Sequence, residues 1–234
     1  MPRTLVCSAL FIALCFSAFG EEEKNQPKGL DESQINLLKQ AIEHYRSAGE
    51  ALKSGNIDLA VSEYRTALEE DPDEPYWHLA LAMALKKEGD RQGILEDYEV
   101  ARKLAPDDEA LWRSYASLLL GPAPLEGTQA AEVKGKTPPH PAYSPDPPYS
   151  EKARAAKYSP VTCVVQLVVS PQGNVENVQV VKPVGLGLDE NAVNTVRTWK
   201  FRPATPEGVL VRQRMLVEIS FRLFLNESPG APHR

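Results

Sequence analysis

Cysteine and histidine are scarce in this chain of 234 residues, which contains 3 cysteines and 4 histidines. Cys7 and Cys15 lie in an apolar amino-terminal segment, so Cys163 is the only cysteine in the remaining chain. A single cysteine excludes an internal disulfide, and the apolar run around it predicts a small buried core residue. The chain also lacks a metal-ligand spacing, a nucleophile–base pattern and a phosphate-binding loop. These absences predict a protein that is not an enzyme and that uses no cofactor or metal.

Basic tracts are absent too, although charge is unevenly distributed. Residues 21–120 contain 22 acidic and 12 basic residues, whereas residues 121–234 contain 10 acidic and 13 basic residues. Without a basic tract, nucleic acid is not expected as a partner. The opposite net charges of the two halves favour two modules with different partners.

The first twenty residues have the pattern of a secretory signal peptide. Arg3 precedes an apolar run over residues 5–19, and the sequence Ala18-Phe19-Gly20 is an acceptable cleavage site. The run is shorter than the ~20 residues that a membrane-spanning helix needs. We expect a signal peptide at residues 1–20 that is cleaved after export. A retained membrane anchor and lipidation at Cys15 are the alternatives.

The amino-terminal half matches itself when the sequence is shifted by 34 residues. Eight pairs are identical, namely His44/His78, Ala48/Ala82, Lys53/Lys87, Gly55/Gly89, Tyr64/Tyr98, Ala67/Ala101, Pro72/Pro106 and Asp73/Asp107. The alanines suit close helix contacts, the glycines suit left-handed turns, and the prolines stop helices. This period and pattern resemble the tetratricopeptide (TPR) family. We expect TPR repeats over residues 34–120, with two repeats at 41–74 and 75–108 and a capping helix at 109–120.

The resemblance also implies a binding groove lined by the first helix of each repeat. By the phase of the family, this groove contains Tyr45, Tyr76, Lys86, Lys87 and Arg113. Its expected ligand is a second protein or peptide. A plain spacer array that binds nothing is the alternative.

Proline is concentrated in one stretch between the two halves. Residues 121–149 contain eight prolines, and six of them lie in residues 138–148. Such a stretch cannot form a helix interior or a central strand. It predicts an extended, semi-rigid linker at 121–149 that joins two cooperative units with little mutual contact.

The carboxyl-terminal half, residues 150–225, is predicted to fold as helix, strand, strand, helix and strand. A β-branched run at 161–169, a turn at 172–174 and a second run at 175–181 indicate a hairpin. Residues 188–199 carry one apolar stripe at helical spacing, and residues 211–223 alternate between apolar and polar. The predicted fold class is α+β, with an all-α array followed by a three-stranded antiparallel sheet and two helices.

One segment of this half resembles a known family. The sequence LDENAVNTVRTWKFRPA, residues 188–204, is similar to the signature of the TonB carboxyl-terminal domain. Pro148-Tyr149, the turn SPQGNV at 170–175 and Gly208 agree with that family, and the resemblance covers about residues 147–224. It implies a periplasmic domain that binds an extended periplasmic segment of an outer-membrane receptor by β-strand addition.

The last predicted strand is the expected partner-binding edge, because it is long and contains no proline. The residues assigned to this edge are Arg212, Gln213, Arg214, Met215, Leu216, Val217 and Glu218. If the amino-terminal segment is retained, inner-membrane motor proteins are further partners, and the chain is an energy transducer for transport. The alternative is a soluble periplasmic TPR adaptor that bridges two protein partners without transducing energy.

Overall fold

Five helices form the described part of the amino-terminal half. The computed structural model describes residues 29–121, 128–129, 138–203 and 211–223, so the predicted signal peptide lies outside the described residues. The helices are α1 (Glu32–Ser54), α2 (Ile57–Glu70), α3 (Pro75–Glu88), α4 (Arg91–Leu104) and α5 (Glu109–Leu120). Helix α3 ends 34 residues after α1, and α4 begins and ends 34 residues after α2. No helix in these ranges is long and apolar enough to cross a membrane.

The turns within each helix pair account for this periodicity. Gly55 and Gly89 end α1 and α3 at φ values of 82° and 90°, a conformation that residues with a Cβ atom rarely adopt. Asn56 and Asp90 then cap α2 and α4, because each side chain accepts a hydrogen bond from a main-chain N–H. The amino-terminal half is therefore a helical array built from a repeating unit.

Each helix pair is joined by a histidine–carboxylate hydrogen bond between its first and second helix. His44 Nδ1 lies 2.7 Å from Glu63 Oε2, and His78 Nδ1 lies 2.9 Å from Asp97 Oδ1. The histidines thus hold neighbouring helices together. Across the described ranges, no group of three or more His, Cys, Asp or Glu side chains is placed to hold a metal ion.

Tight helix contacts make the array sensitive to side-chain volume at Ala101, which is fully buried on α4. Ala101→Leu is expected to lower the free energy of unfolding by roughly 1–3 kcal/mol, because added methyl groups in a packed contact force its neighbours apart. Thermal unfolding followed by circular dichroism measures this loss. Ala116→Leu, at an exposed position of α5, is the matched control. Equal stability of the two variants would contradict close packing at Ala101.

The carboxyl-terminal half is built around a three-stranded antiparallel sheet. Strand β3 (Val161–Val169) lies between β4 (Val175–Lys182) and β6 (Arg212–Phe221). A two-residue strand from the proline-containing stretch, β1 (Thr128–Gln129), pairs in parallel with the outer edge of β6. The predicted α+β class, with an array of helices followed by a three-stranded antiparallel sheet, is confirmed.

One face of this sheet is apolar and packed. Cys163, Val165 and Leu167 are fully buried on β3, and Cys163 pairs with Ile219 on β6. Along β6, exposed residues at 212, 216, 218 and 220 alternate with buried or half-buried ones. This is the period-two pattern expected for a strand with one face against the core.

Two short helices and a small ribbon complete this half. Helix α6 spans Glu151–Ala155 and α7 spans Leu188–Val196, three residues shorter than the predicted helix at 188–199. Trp199 lies in the turn after α7, where its main-chain N–H donates to Val196 O at 3.0 Å. Strands β2 (His140–Tyr143) and β5 (Lys200–Arg202) pair with each other in antiparallel fashion.

The second part of the predicted linker packs against this half. Trp199 Nε1 donates a hydrogen bond to Pro145 O at 3.0 Å, and Asn191 Nδ2 donates to Pro148 O at 3.0 Å. Proline lacks an N–H donor but keeps its carbonyl acceptor, so a proline-rich segment can still be held by side-chain donors. Residues 138–149 are therefore not a free spacer.

The two halves share one hydrophobic core, which differs from the prediction of two units with little mutual contact. The array also satisfies the main-chain polar groups of the loop at 183–186. Tyr45 OH donates to Pro183 O, and Trp77 Nε1 donates to Val184 O at 3.1 Å. These residues are more than 100 positions apart in the sequence, so no local pattern predicts their contact.

Candidate functional site

The helical array covers the outer edge of β4. The main-chain N–H of Val180 donates to Ser114 Oγ at 2.9 Å in a buried position. Ser114 lies on α5 and donates its own hydroxyl to Ala110 O at 2.8 Å. An edge amide bound in this way is unavailable to an added strand at that point. Sequence reasoning missed Ser114, because one serine inside a predicted capping helix has no distinguishing pattern.

The outer edge of β6 has a different environment. Its inner edge pairs with β3 from Gln213 to Phe221. On its outer edge, Thr128 aligns with Arg212 and Gln129 aligns with Gln213. Within the described ranges, no strand pairs with this outer edge beyond Gln213. Among the described residues, the outer main-chain groups of β6 beyond Gln213 thus have no strand partner, next to the site where the chain's own β1 pairs.

All seven residues predicted for the partner-binding edge lie on β6 or at its start. Arg212, Leu216 and Glu218 are exposed, and Leu216 is 60% exposed although its side chain is apolar. Arg214, Met215 and Val217 are half-buried, and Gln213 is buried. The predicted residues therefore form one continuous strand that presents both polar and apolar side chains.

Gln213 is the unusual member of this strand. Its side chain is 3% exposed, and its Oε1 atom is buried without a hydrogen-bond partner in the described part of the chain. Leaving a buried acceptor unsatisfied costs about 1–3 kcal/mol. Gln213 also aligns with Gln129, so this unsatisfied acceptor lies where the short parallel pairing ends.

The residues predicted for the groove of the array do not share one open surface. Tyr45 and Tyr76 are buried. Tyr45 contacts the loop after β4 through Pro183, and Tyr76 OH donates to Asp108 Oδ2 at 2.8 Å. This part of the inner face is thus in contact with the chain itself.

The three cationic groove residues lie elsewhere on the surface. Lys86 and Lys87 are exposed at the end of α3, where they line a cleft of about 630 Å³ beside β4. Arg113 is exposed on α5 and pairs with Glu109 of the same helix. Lys86 and Lys87 therefore line the same cleft, whereas Arg113 is not one of its lining residues.

Two buried carboxylates hold the loop between β4 and α7. Asp189 is fully buried, and its side chain accepts from the main-chain N–H groups of Val184, at 3.0 Å, and Gly185. Burial raises the pKa of Asp189 to about 7, although these hydrogen bonds oppose the shift. Glu74 of the array accepts from Leu186 N at 2.7 Å, and burial raises its pKa although Lys152 lies beside it.

A third carboxyl group lies next to Asp189 in the first turn of α7. Burial, together with the charge of Asp189, raises the pKa of Glu190 to about 8. The sequence suggested only that acidic residues here suit the positive end of the helix dipole. In the structure, Asp189 instead accepts main-chain hydrogen bonds from the loop that contacts the array.

The fold and the edge geometry define a small α+β module in which the central strand β3 separates an edge covered by α5 from one that no described strand covers beyond Gln213. Residues 145–223, about a third of the chain, match the family model described as the Gram-negative bacterial TonB protein C-terminal domain. This match agrees with the predicted range of about 147–224. No curated protein matches the chain in sequence.

Proposed function

We propose that this protein acts in the envelope of a Gram-negative bacterium, where its sheet binds an extended segment of an outer-membrane receptor by strand addition to β6. The observation that carries the proposal is the contrast between the two edges of the sheet. Ser114 and α5 cover β4, whereas β6 already pairs with Thr128–Gln129. The match to the TonB carboxyl-terminal family supports a role in receptor interaction.

Main-chain pairing would supply most of the affinity in this complex, and the side chains of β6 would supply selectivity. An incoming strand that continues the parallel alignment of β1 would run beside residues 214–218. Its side chains on the solvent side of the sheet would lie near the exposed Leu216. Removal of exposed charges such as Glu218 would change association rate and salt dependence more than affinity.

The helical array is proposed to be a TPR array that supports the sheet. Its 34-residue spacing of helix ends and its equivalent histidine–carboxylate pairs favour this assignment. Its inner face contacts the chain's own loop through Tyr45 and Trp77, which favours a scaffold role. The protein would then act by binding rather than by catalysis.

Two modes of action are proposed, which differ in whether residues 1–20 are retained or removed. In both modes the sheet acts in the periplasm. If residues 1–20 anchor the chain, it transduces energy for transport with inner-membrane motor proteins as partners. If they are cleaved, it is a soluble adaptor, with the exposed pair Lys86 and Lys87 available to a second protein. Mass spectrometry of the mature amino terminus distinguishes these modes, since cleavage gives a chain that begins at Glu21.

Strand addition at β6 predicts that a proline on its outward-facing main chain prevents binding. Successive N–H groups of a strand point to opposite edges. Of the two variants Leu216→Pro and Val217→Pro, one therefore loses a hydrogen bond with β3, and the other loses a donor on the outer edge of β6. We expect the edge variant to stay folded and to lose binding of a ten-residue peptide from the periplasmic end of a receptor of the same bacterium. Isothermal titration calorimetry measures binding, and circular dichroism identifies the folded variant.

The matched control for this experiment is Leu216→Ala, which removes the exposed side chain and keeps the main-chain donor. It is expected to weaken binding by less than about tenfold, because main-chain pairing persists. A folded proline variant that binds as tightly as the wild type would show that the receptor segment docks elsewhere.

A further inference from the structure

A second cleft, of about 740 Å³, lies at the seam between the array and the sheet. Leu52 and Met83 of the array and Tyr158 and Val161 of the carboxyl-terminal half contribute apolar wall. Its volume falls in the range of roughly 300–1,000 Å³ typical of small-molecule sites, which often lie between domains. None of residues 212–218 lines it, so this cleft is separate from the partner-binding edge.

The rim of the cleft is basic. Arg46 and Lys53 come from α1, Lys182 ends β4, and Arg222 follows β6, whereas Glu50 is the one acidic lining residue. In the described part of the chain, Lys53, Lys182 and Arg222 form no ion pair with a carboxylate.

This concentration of positive charge contrasts with its surroundings, since residues 21–120 hold 22 acidic and 12 basic residues. The rim cations also come from distant parts of the chain, so their convergence is a property of the folded protein. Arg46 is partly engaged, because it pairs with Glu43 and lies 5.3 Å from the centre of the Tyr158 ring. The other three cations are the ones available to an anion.

We propose that this cleft binds an amphipathic anion, whose apolar body contacts the wall and whose carboxylate or phosphate head is held at Lys182 and Arg222. Arginine can bind a carboxylate or phosphate through two parallel hydrogen bonds, and lysine adds a compact charge. The tyrosine rings offer rigid apolar surface to an acyl chain or an aromatic body, and the flexible side chain of Met83 can adapt to its shape. A free acyl anion that enters the cleft whole is the ligand class that fits best.

The walls of the cleft belong to both halves, so ligand binding would also stabilise their packing. A ligand that binds only the packed state raises the unfolding temperature in proportion to the logarithm of its concentration. Such a ligand would thus report on, and reinforce, the seam between the array and the sheet.

Calorimetric titration of the full chain with monomeric sodium dodecanoate tests the proposal. We expect one binding site, with affinity that falls as salt is raised, and no binding of dodecyltrimethylammonium, which has the same chain and the opposite charge. The double variant Lys182→Gln/Arg222→Gln is expected to bind at least about fivefold more weakly. Lys103→Gln, at an exposed position of α4, is the control and should bind as the wild type does.

A second variant tests the cleft itself. Met83→Trp should fill part of it and abolish dodecanoate binding, with circular dichroism as the check on folding. If that variant misfolds, the double charge variant still decides the question. Equal binding of the carboxylate and the ammonium would overturn the proposal, as would undiminished affinity in the double variant. Binding to anionic phospholipid vesicles without binding of monomeric dodecanoate would also overturn it, since the source would then be a membrane surface.

Discussion

Replacing Gly185 with alanine is expected to separate the array from the carboxyl-terminal half. Gly185 has a φ of +80°, and a Cβ atom at this position would lie 2.0 Å from Trp77 Nε1. Trp77 is fully buried and donates to Val184 O, so its ring cannot move away without losing that bond. We expect a loss of at least about 3 kcal/mol from the free energy of unfolding, from strain and overpacking together.

Hydrogen exchange measures the loss of amide protection at the contact between the two halves. The main-chain amides of Val180 and Leu186 are held by Ser114 and Glu74 of the array, so both should lose protection in Gly185→Ala. A protease site placed within residues 130–137 adds a direct assay. After cleavage, the wild-type fragments should co-elute in gel filtration, and the Gly185→Ala fragments should separate.

Gly187→Ala is the matched control, because Gly187 also has a positive φ, of +74°. A Cβ atom there would lie 3.3 Å from Ser150 Cβ, so the backbone strain is similar and the clash with Trp77 is absent. The difference between the two variants therefore isolates the steric contact at the seam. Co-eluting fragments with unchanged protection in Gly185→Ala would show that this contact does not hold the halves together.

The stability of the protein should fall as the pH rises from about 4 to about 7, because the folded state keeps Asp189 protonated. Burial raises its pKa from the ordinary 3.8 to about 7, so the folded chain binds more protons than the unfolded chain in this range. This contribution is fully present below the unfolded pKa and is lost as the pH passes the folded pKa. The shift corresponds to roughly 4 kcal/mol at most.

Thermal unfolding at pH 5.5 and 8.5 measures this dependence, and Glu190, with a pKa raised to about 8, adds to it in the same direction. We expect an unfolding temperature lower by about 5–10 °C at the higher pH. Asp189→Asn should reduce that difference, because asparagine stays neutral and still accepts a hydrogen bond from the loop. Asp146→Asn, at an exposed position, should leave the difference unchanged. An equal pH difference in wild type and Asp189→Asn would rule out Asp189 as its source.

Much of the sheet was predictable, because its signals are local. The β-branched run at 161–169 matches the bounds of β3, and the alternation of residues 211–223 predicted a strand with one face toward the core, although not the burial of the polar Gln213. The burial of Cys163 followed from its apolar neighbours. Each of these features depends on residues adjacent in the sequence, where period-two patterning is directly readable.

The seam between the halves could not be predicted, since it depends on pairs such as Tyr45 with Pro183 that lie far apart in the chain. The proline-rich composition of residues 138–149 also favoured a free linker, although Trp199 and Asn191 hold their carbonyl groups. Likewise, the sequence predicted that Asp189 lies in the first turn of a helix, but it did not predict that its side chain is buried under a loop. Of the candidate site, the strand was predictable, whereas the reason that only one edge is accessible was not.

The cover of α5 over β4 has a mechanical consequence. If a receptor segment bound at β6 is pulled along its own direction, the load passes into β6 in shear and from there through the β3 pairings to β4. Strand pairs loaded in this direction share the force across many main-chain hydrogen bonds at once. The hydrogen bond between Val180 and Ser114, together with the hydrophobic core that the two halves share, would then pass this load to the helices, so that the array would carry part of the tension at the far edge of the sheet.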